Sequence, residues 1–398
     1  MIDDRLAIAL LLLLAYSYLG YPLLLRLLAR LFPKPHRCER DYCPSVTLVV
    51  SAYNEAAVIE EKLVNSLELD YPKEKLAILV VSDCSDDGTD QAVARYACSG
   101  IRLLRAPERR GKTAALNLAL AQVESEVVVF SDANALYQPD AIRKLVGHFA
   151  DRTIGYVVGY ARYREETRSA AGGTESLYWD LETRIKLWES EFSSVVGGDG
   201  AIYAIRRPLY EPLLETDIND FVNPLQIVVK GYRGVFEPGA VCFEKPAGSF
   251  EKEYARKIRI VNRSFNGVLR VRQALNPLRV GFFSWQLLSH KLLRWFSPYL
   301  AALLLALLLQ QALAGRSNPV TAVTLCFAAL LLLAAGLGWL LRGHAQGGKL
   351  WFVPCYFVLM NLACALGIYH RLRGRTISTW STVRVEAPAG LRRPWEGE

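Results

Sequence analysis

SVTLVVSAYNEAAVIEEKLVNSLELDYPKEKLAILVVSD, residues 45–83, carries a short apolar, β-branched run at each end and an acidic, helix-like segment between them. The same pattern continues with IRLL, a helical segment and EVVVFSD, up to about residue 135. Short apolar strands separated by helices predict a parallel sheet that is covered by helices on both faces. Residues 45–135 therefore have the pattern of an α/β nucleotide-binding half.

Two of these strands end in an aspartate, Asp83 after AILVVS and Asp132 after VVVFS. Ligands of open α/β sheets bind outside the carboxyl ends of the strands, so both carboxylates are expected at the binding edge. A single aspartate there would carry little weight, because Asp also forms turns after strands. Asn134 extends the second one to Asp-x-Asn, and such oxygen ligands suit Mg²⁺ or Mn²⁺ beside a diphosphate.

Along the whole chain, apolar residues concentrate near the two ends and charged residues in the middle. The 398 residues are 52% hydrophobic and 22% charged, and the mean hydropathy is +0.16. This apolar content excludes disorder over most of the length. The eight Cys form no CxxC pair, which argues against a disulfide scaffold or a zinc site. The net charge of +8 lies mainly beside apolar runs and in one central helix, which favours membrane lipids or a phosphorylated substrate over nucleic acid.

Residues 6–31 are mostly apolar, and about 20 such residues cross a bilayer as a helix. A signal peptide is the alternative, but Asp3 and Asp4 precede the run and no small-residue cleavage site follows it. A retained span is therefore predicted. Its C-terminal end carries basic residues, which place that end and the following domain in the cytoplasm: Arg26, Arg30, Lys34 and Arg37.

The chain divides into five segments. These are an N-terminal transmembrane helix (1–34), a soluble α/β domain (45–280), an interfacial amphipathic helix (282–296), a C-terminal transmembrane region (297–370) and a basic tail (371–398). Pro354 and Asn361 interrupt the last apolar segment, which could be a span or a re-entrant or interfacial segment. Three C-terminal spans would put the tail outside, although its arginines favour the inside.

Several further blocks follow one another in a recognisable order: VVSAYNEAAVIEEKL (49–63), VVSDCSDDGTD (80–90), RRGKTAALNLAL (109–120), SDANALY (131–137), VVGGDGAIYAIRR (195–207), DINDFVNPLQIVVKGYRGVFEP (217–238) and RKIRIVNRS (256–264). Over residues 45–270 the chain resembles an inverting family-2 glycosyltransferase with a GT-A fold, a Rossmann-like α/β domain. It is similar to the membrane-bound bacterial polysaccharide synthases.

The resemblance implies roles for the residues that match. Tyr53 and Glu55 resemble the nucleobase and ribose contacts, and Asp83 resembles the second uridine-binding acid. Lys112 resembles a diphosphate contact at a helix N-terminus, with a surface lysine as the alternative. Asp132 and Asn134 resemble the metal-binding Asp-x-Asp, in which Asn keeps a ligand oxygen but loses its charge.

Asp220 resembles the general base of the family, eleven residues before Gly231, where Asn219 replaces the first acid of the family's pair. An inverting transfer needs one carboxylate that takes the proton of the acceptor hydroxyl. Asp217 is the competing candidate. A helix N-cap is the structural alternative for Asp220 and is compatible with catalysis.

Arg259 and Arg263 lie four residues apart and resemble the diphosphate-binding face of the family's QxxRW helix. Here the corresponding residues are IVNRS, without the Gln and the Trp, which weakens the case for processive polymerisation. Gly198 and Asp199 resemble the acceptor-side loop. WSTVR (380–384) is faintly similar to a W-x-T-R element of polysaccharide synthases, and chance explains it about as well.

The resemblance implies a multi-pass enzyme of the plasma membrane that transfers sugar from a nucleotide sugar, with UDP-sugar first in rank, to a growing surface polysaccharide. Its partners would be the donor, a polysaccharide or lipid-linked acceptor, membrane lipids and an accessory membrane subunit. One alternative is transfer of a single sugar to a lipid-linked acceptor. The other is a non-catalytic membrane scaffold.

Overall fold

The computed structural model describes residues 2–163, 170–244, 250–341 and 349–376. Its centre is one eight-stranded sheet in the order β3-β2-β1-β4-β7-β6-β8-β5. The strands are β1 (Val46–Ala52), β2 (Leu76–Ser82), β3 (Ile101–Arg105), β4 (Val127–Asp132), β5 (Leu136–Tyr137), β6 (Ile154–Tyr163), β7 (Tyr203–Arg206) and β8 (Arg233–Glu244).

Strands β1 to β4 are mutually parallel, and β1 lies between β2 and β4. β1 is buried along its whole length because helices cover both faces of the sheet. The predicted parallel half is therefore confirmed strand by strand. The second half is mixed: β7 is antiparallel to β4 and β6, β8 is parallel to β6, and β5 is antiparallel to β8.

Fourteen α-helical segments are present within the described residues. They are α1 (Ile2–Ala15), α2 (Tyr21–Leu31), α3 (Ile59–Leu67), α4 (Thr89–Ala94), α5 (Lys112–Leu120), α6 (Ala141–Gly147), α7 (Ala170–Phe192), α8 (Asn219–Val229), α9 (Phe250–Arg270), α10 (Pro277–Val280), α11 (Phe282–Gln286), α12 (Leu293–Leu313), α13 (Pro319–Leu340) and α14 (Lys349–Leu372).

The two faces of the sheet bury separate cores. Leu48 and Val50 of β1 face the core that contains residues of α3, α4 and α6, while Val49 faces the core that contains residues of α5, α8 and α9. This alternation follows from the two-residue period of a strand. The carboxyl ends of the parallel strands lie between the two layers, and Asp83 and Asp132 are located there.

Within the part of the chain that the structure describes, four helices are long and apolar enough to cross a membrane: Asp4–Leu31, Phe282–Leu313, Pro319–Leu340 and Trp351–Leu372. The separate interfacial helix predicted at 282–296 is wrong in its boundary. The helix continues from 282 to 313 through a π-helical turn at Leu287–Leu292. Its polar side chains bind partners inside the protein; Arg294, for example, pairs with Glu182 of α7.

The last apolar segment forms a helix despite Pro354 and Asn361. Asn361 Nδ2 donates to the carbonyl of Phe357, 2.9 Å away, and its Oδ1 accepts from the hydroxyls of Tyr18 and Ser297. The polar residue therefore joins three helices and does not end its own. Of the predicted basic tail, only residues 371–376 are described, and the WSTVR element lies outside the described residues.

Helix α9 joins the α/β domain to α14. A side chain at Gly367 of α14 would place its Cβ 2.9 Å from the carbonyl oxygen of Ile258, so the helices touch backbone to backbone. Asn262 donates to the carbonyls of Gly367 and Arg375, and Arg371 donates to Asn266. On the opposite side, Tyr21, Leu25 and Ala29 of α2 pack on α7.

Candidate active site

Asp83 lies at the carboxyl end of β2 and is 1% exposed. Its two carboxylate oxygens accept from the backbone N–H groups of Arg110, at 3.0 Å, and Gly111, at 2.9 Å. Burial raises the pKa of Asp83, and the two hydrogen bonds oppose that rise. Asp83 thus fixes the turn that leads into α5, a contact that its predicted uridine-binding role did not include.

Lys112 is the first residue of α5, and its ammonium group pairs with the carboxylate of Asp132 at the end of β4. Ser51 Oγ of the neighbouring strand donates to the same carboxylate at 3.3 Å. A cation and a helix N-terminus are therefore adjacent to the strand-end carboxylate, an arrangement that favours a phosphate group.

Three of the predicted residues converge at Gly200. A Cβ built there would lie 3.2 Å from Asp220 Oδ2, 3.4 Å from Lys112 Nζ and 3.8 Å from Asp132 Oδ2. The predicted base, diphosphate cation and metal ligand consequently surround one small volume, although 88 residues separate Asp132 from Asp220 in the sequence.

Asp220 projects from the first turn of α8. Its Oδ1 is sealed from solvent and has no hydrogen-bond partner among the described residues. Burial raises the pKa of Asp220; Lys112 lowers it, whereas Asp199 and Asp132 raise it further. A buried carboxylate with a raised pKa and an unused oxygen has the properties of a general base.

Asp217, the competing candidate, is engaged elsewhere. It is fully buried, pairs with Arg270 at 2.6 Å and accepts from the backbone N–H of Leu214 at 2.8 Å. The N-cap alternative for Asp220 is not realised, because the N-cap residue of α8 is Ile218 and no side chain caps the helix. Asn219, which replaces the family's first acid, donates to the hydroxyl of Tyr203.

The two predicted arginines of α9 have different surroundings. Arg263 is 5% exposed and donates to the backbone carbonyls of residues 215–217 and to Thr113 Oγ1. Arg259 has no hydrogen-bond or ion-pair partner among the described residues. Burial lowers the pKa of Arg259, and so does Arg256, while Asp132 and Asp220 raise it. The charge of Arg259 thus interacts with the two acids of the site, Asp132 and Asp220, whereas the guanidinium of Arg263 is occupied by hydrogen bonds within the protein.

The nucleotide-side residues lie at the end of β1. The guanidinium carbon of Arg109 lies 3.9 Å from the centre of the Tyr53 ring, a cation–π contact. Glu55 is buried, and its backbone N–H donates to Thr89 Oγ1 at 2.8 Å. These contacts position both residues at the sheet edge, close to the loop that follows β2.

The loop after β2 is hydrogen-bonded to the end of β1, a contact that the sequence did not predict. Asn54 and Cys84 adopt left-handed backbone conformations, with φ of 52° and 63°. The side-chain amide of Asn54 donates to Asp86 and accepts from the Asp86 backbone N–H. Non-glycine residues in this conformation are uncommon and concentrate at functional sites. The Asn-Glu and Ser-Asp-Asp-Gly clusters after two strands were the available signal.

Glu244 was also missed. It ends β8, one residue after Phe243, which pairs with Leu136 just beyond the Asp-x-Asn turn. Burial raises the pKa of Glu244 to about 7, Asp132 and Asp199 raise it, and Arg256 and Lys112 lower it. A strand that ends in an acid was the signal, the same one that identified Asp83 and Asp132.

Gly198 and Asp199 lie next to the base. The N–H of Gly198 donates to the backbone carbonyl of Asp220 at 2.5 Å. Asp199 lies 3.7 Å from Lys186 Nζ of α7 and accepts from the N–H of Ala201. The loop predicted to be acceptor-side is therefore in direct contact with Asp220.

The predicted metal ligands fit a cation that is shared with the substrate. Within the described residues, no three His, Cys, Asp or Glu side chains are grouped closely enough to enclose a metal ion. Asp132 is 34% exposed, and the amide of Asn134 has no described partner. Mg²⁺ and Mn²⁺ commonly bind through one or two protein oxygens and complete their shell with phosphate and water.

Residues 47–214 match the family model "Glycosyl transferase family 2". A probable glycosyltransferase of Bacillus subtilis is 27% identical over 231 residues, 54% of each chain. A poly-β-1,6-N-acetyl-D-glucosamine synthase of Staphylococcus aureus is 27% identical over 210 residues, 51% of this chain and 50% of the relative. The chain thus spans about half the length of these curated relatives.

Among solved structures, a mannosyltransferase of Pyrobaculum calidifontis in complex with GDP-mannose and Mn²⁺ resembles nearly the whole chain. The TM-score is 0.70 at 27% identity, over 93% of this chain and 99% of that one. The fold, the strand-end carboxylates and these likenesses agree. Residues 47–214 therefore match a family-2 glycosyltransferase domain, and the fold of the chain is that of the GT-A glycosyltransferases.

Proposed function

We propose that this protein is a glycosyltransferase that is embedded in a membrane and transfers a sugar, with inversion, from a nucleotide-sugar donor to a growing saccharide. The observation that supports it most strongly is the convergence of Asp220, Lys112 and Asp132 around Gly200. One volume then contains a carboxylate for the acceptor hydroxyl and a cation for the departing diphosphate, the two requirements of the reaction.

In the proposed reaction, Asp220 takes the proton of the acceptor hydroxyl while that oxygen attacks the anomeric carbon. The bond from this carbon to the diphosphate oxygen breaks, and the negative charge moves to the diphosphate. Lys112 and Arg259 stabilise that charge. Asp132 and Asn134 would hold Mg²⁺ or Mn²⁺, which would supply further charge stabilisation to the leaving group.

For the diphosphate contact, we favour Arg259 over Arg263. Arg263 already donates to three carbonyls and one hydroxyl, and it would have to abandon them to reach a ligand. Arg259 has no such described partner, and its charge interacts with Asp132 and Asp220. Arg263 would then act indirectly, by fixing residues 215–217 next to α8.

A donor assay can distinguish GDP-sugars from UDP-sugars as the donor. The relative that matches over nearly its full length binds GDP-mannose, whereas the family resemblance ranks UDP-sugars first. Purified full-length protein should release nucleoside diphosphate from one of these donors with Mn²⁺ or Mg²⁺ and not with excess chelator. Asp220→Asn is the matched control. Absence of release from every donor would favour the non-catalytic scaffold.

A second candidate is transfer of a single sugar to a lipid-linked acceptor. Two observations favour it: the whole-length likeness to a mannosyltransferase, and the IVNRS segment, which lacks Gln and Trp. Product sizing separates the candidates, since a polymerase gives a ladder of long chains and a single transfer gives one added residue.

The proposed topology places the catalytic domain in the cytoplasm. Basic residues follow the first candidate span, and four helices are long enough to cross the bilayer. Cys98 is exposed in the catalytic domain and serves as a natural reporter. An impermeant maleimide should label Cys98 only after the cells are permeabilised, and labelling of intact cells would overturn this orientation.

A further inference from the structure

Glu189, a buried carboxylate of α7, is not used by the proposed reaction. It has 0% exposure and accepts three hydrogen bonds from three separate parts of the chain. The Tyr21 hydroxyl of α2 donates to Oε1 at 2.6 Å, and His290 Nδ1 lies 2.7 Å from the same oxygen. The backbone N–H of Val196 donates to Oε2 at 2.9 Å.

Two of these partners belong to candidate membrane spans. Tyr21 lies in Asp4–Leu31 and His290 in Phe282–Leu313, so two helices that are distant in sequence meet at one carboxylate oxygen. The contact is buried on all sides: Tyr21 is 0% and His290 1% exposed. Glu182, two helical turns before Glu189 on the same face of α7, lies 3.0 Å from His290 Nε2 and pairs with Arg294.

The third partner begins the acceptor-side loop. Val196 precedes Gly198, whose N–H donates to the carbonyl of Asp220. A Cβ at Gly198 would lie 2.8 Å from that carbonyl oxygen, so the loop and the base-carrying turn are in close contact. A shift of Val196 would consequently move the backbone that abuts Asp220.

Helix α7 contacts the loop at a second point. Lys186, three residues before Glu189 and therefore on the same helix face, lies 3.7 Å from Asp199 Oδ2. Val196 and Asp199 of the loop thus both contact α7, and α7 in turn contacts the candidate membrane helices. By contrast, the donor-side residues depend on the sheet and on turns within the catalytic domain.

We propose that Glu189 is a positioning residue that couples the seating of the two membrane helices to the acceptor-side loop and through it to Asp220. The proposal rests on the proposed glycosyl transfer and adds a part of the chain that controls the geometry of the acceptor and the base but not donor binding. An acceptor held at a membrane surface would then meet a loop whose position is set by the same membrane helices.

Glu189→Gln tests the coupling. Glutamine has one acceptor oxygen and one NH₂ group in place of the two carboxylate oxygens. The NH₂ group must therefore face either the N–H of Val196 or the Tyr21 and His290 pair, and the hydrogen bond on that side is lost. A misplacement of about 1 Å can cost on the order of 10²-fold in rate. Sugar transfer into membrane products should therefore fall by about that factor, while Mn²⁺-dependent binding of GDP-mannose stays near the wild-type affinity.

Hydrogen–deuterium exchange of the full chain in lipid nanodiscs gives a readout that needs no substrate. Glu189→Gln should speed exchange in residues 194–200 and leave β1 and β2 unchanged. Tyr21→Phe keeps the ring that packs on Trp285 and removes only the hydroxyl, so it should give a smaller change in the same peptides. Glu191→Gln, the same substitution at an exposed position of α7, should match wild type.

Unchanged exchange in residues 194–200 would overturn the proposal, as would an equal effect of Glu191→Gln. Faster exchange throughout the catalytic domain would also overturn it, because Glu189 would then be a general structural residue. If wild-type protein turns over no nucleotide sugar, the proposed function fails, and the exchange experiment still decides whether the coupling exists.

Discussion

The proposed donor side and the proposed acceptor side of the active site are held in place by different parts of the molecule. On the donor side, Asp83 and Asp132 follow buried parallel strands, and their neighbours are turns of the same domain. On the acceptor side, Gly198, Asp199 and Asp220 lie on a loop and a helix start that are tied to α7 and α9.

This difference implies that the donor side is rigid and that the acceptor side can change its position. Parallel strands fix the donor carboxylates by a continuous hydrogen-bond ladder, so their spacing depends on the sheet alone. The proposed acceptor side packs on α7 and α9, and these helices contact the candidate membrane helices. Substitutions on the two sides should accordingly change different measured quantities, and four pairs of variants test that expectation.

The largest effect is expected from the two competing aspartates of the acceptor side. Asp220→Asn should reduce turnover by about 10²–10⁴-fold and leave donor binding and the melting temperature near wild type. Asp217→Asn removes one partner of a buried ion pair, which typically costs about 3–5 kcal/mol of stability. Turnover and thermal unfolding, measured on both variants, distinguish these roles. A stable but inactive Asp217→Asn protein would reverse the assignment.

The second test addresses the donor side through the metal. Asp132→Asn keeps the size of the side chain but removes the charge that binds a divalent cation, so donor binding should lose its dependence on Mn²⁺. Asp140→Asn is the matched control, because its carboxylate makes only an exposed ion pair with Lys144. Titration of nucleotide-sugar binding with and without chelator measures both. Chelator-resistant turnover of the wild-type enzyme would contradict the metal site.

The third test compares the two arginines that lie one helical turn apart on α9. Arg259→Ala should weaken donor binding by about 10–100-fold, the loss of one charge-assisted contact, and leave the melting temperature unchanged. Arg263→Ala leaves buried carbonyls without their donor, and each kcal/mol lost lowers Tm by about 2–4 °C in a domain of this size. If Arg263→Ala melts normally and fails to bind donor, the family's QxxRW role is retained after all.

The sequence predicted the donor side much better than the acceptor side. Strand-end acids such as Asp83 and Asp132 are visible because the apolar run that precedes them fixes where the sheet ends. The roles of Arg263 and Glu189 depend on which distant backbone groups meet them, and no local pattern records that. The end of the helix predicted at 282–296 differs for the same reason, because polar residues of this helix have partners in α7 and the helix continues to Leu313.

The smallest effect is expected from two glutamates of β8. Their pKa values are shifted in opposite directions, so their substitution should change the pH dependence of stability in opposite ways. Burial raises the pKa of Glu244 from 4.5 to about 7. Burial would also raise the pKa of Glu237, but the hydrogen bonds from His148 and from Gly239 N–H lower it below its ordinary value. Glu244 faces the active site, whereas Glu237 lies near the start of the strand, beside α6 and the turn that follows it.

The signs follow from proton linkage. Folded protein retains a proton on Glu244 that the unfolded chain has released, so this stabilisation is complete below pH 4.5 and is lost as the pH rises to about 7. For Glu237 the stabilisation is present above its ordinary pKa and is lost as the pH falls below it. Glu244→Gln should therefore flatten the decline of Tm between pH 4.5 and about 7, measured with chelator present. Glu237→Gln should instead flatten the decline on the acid side. A Glu244→Gln profile parallel to wild type would show that Glu244 does not titrate in this window and remains ionised beside Asp132.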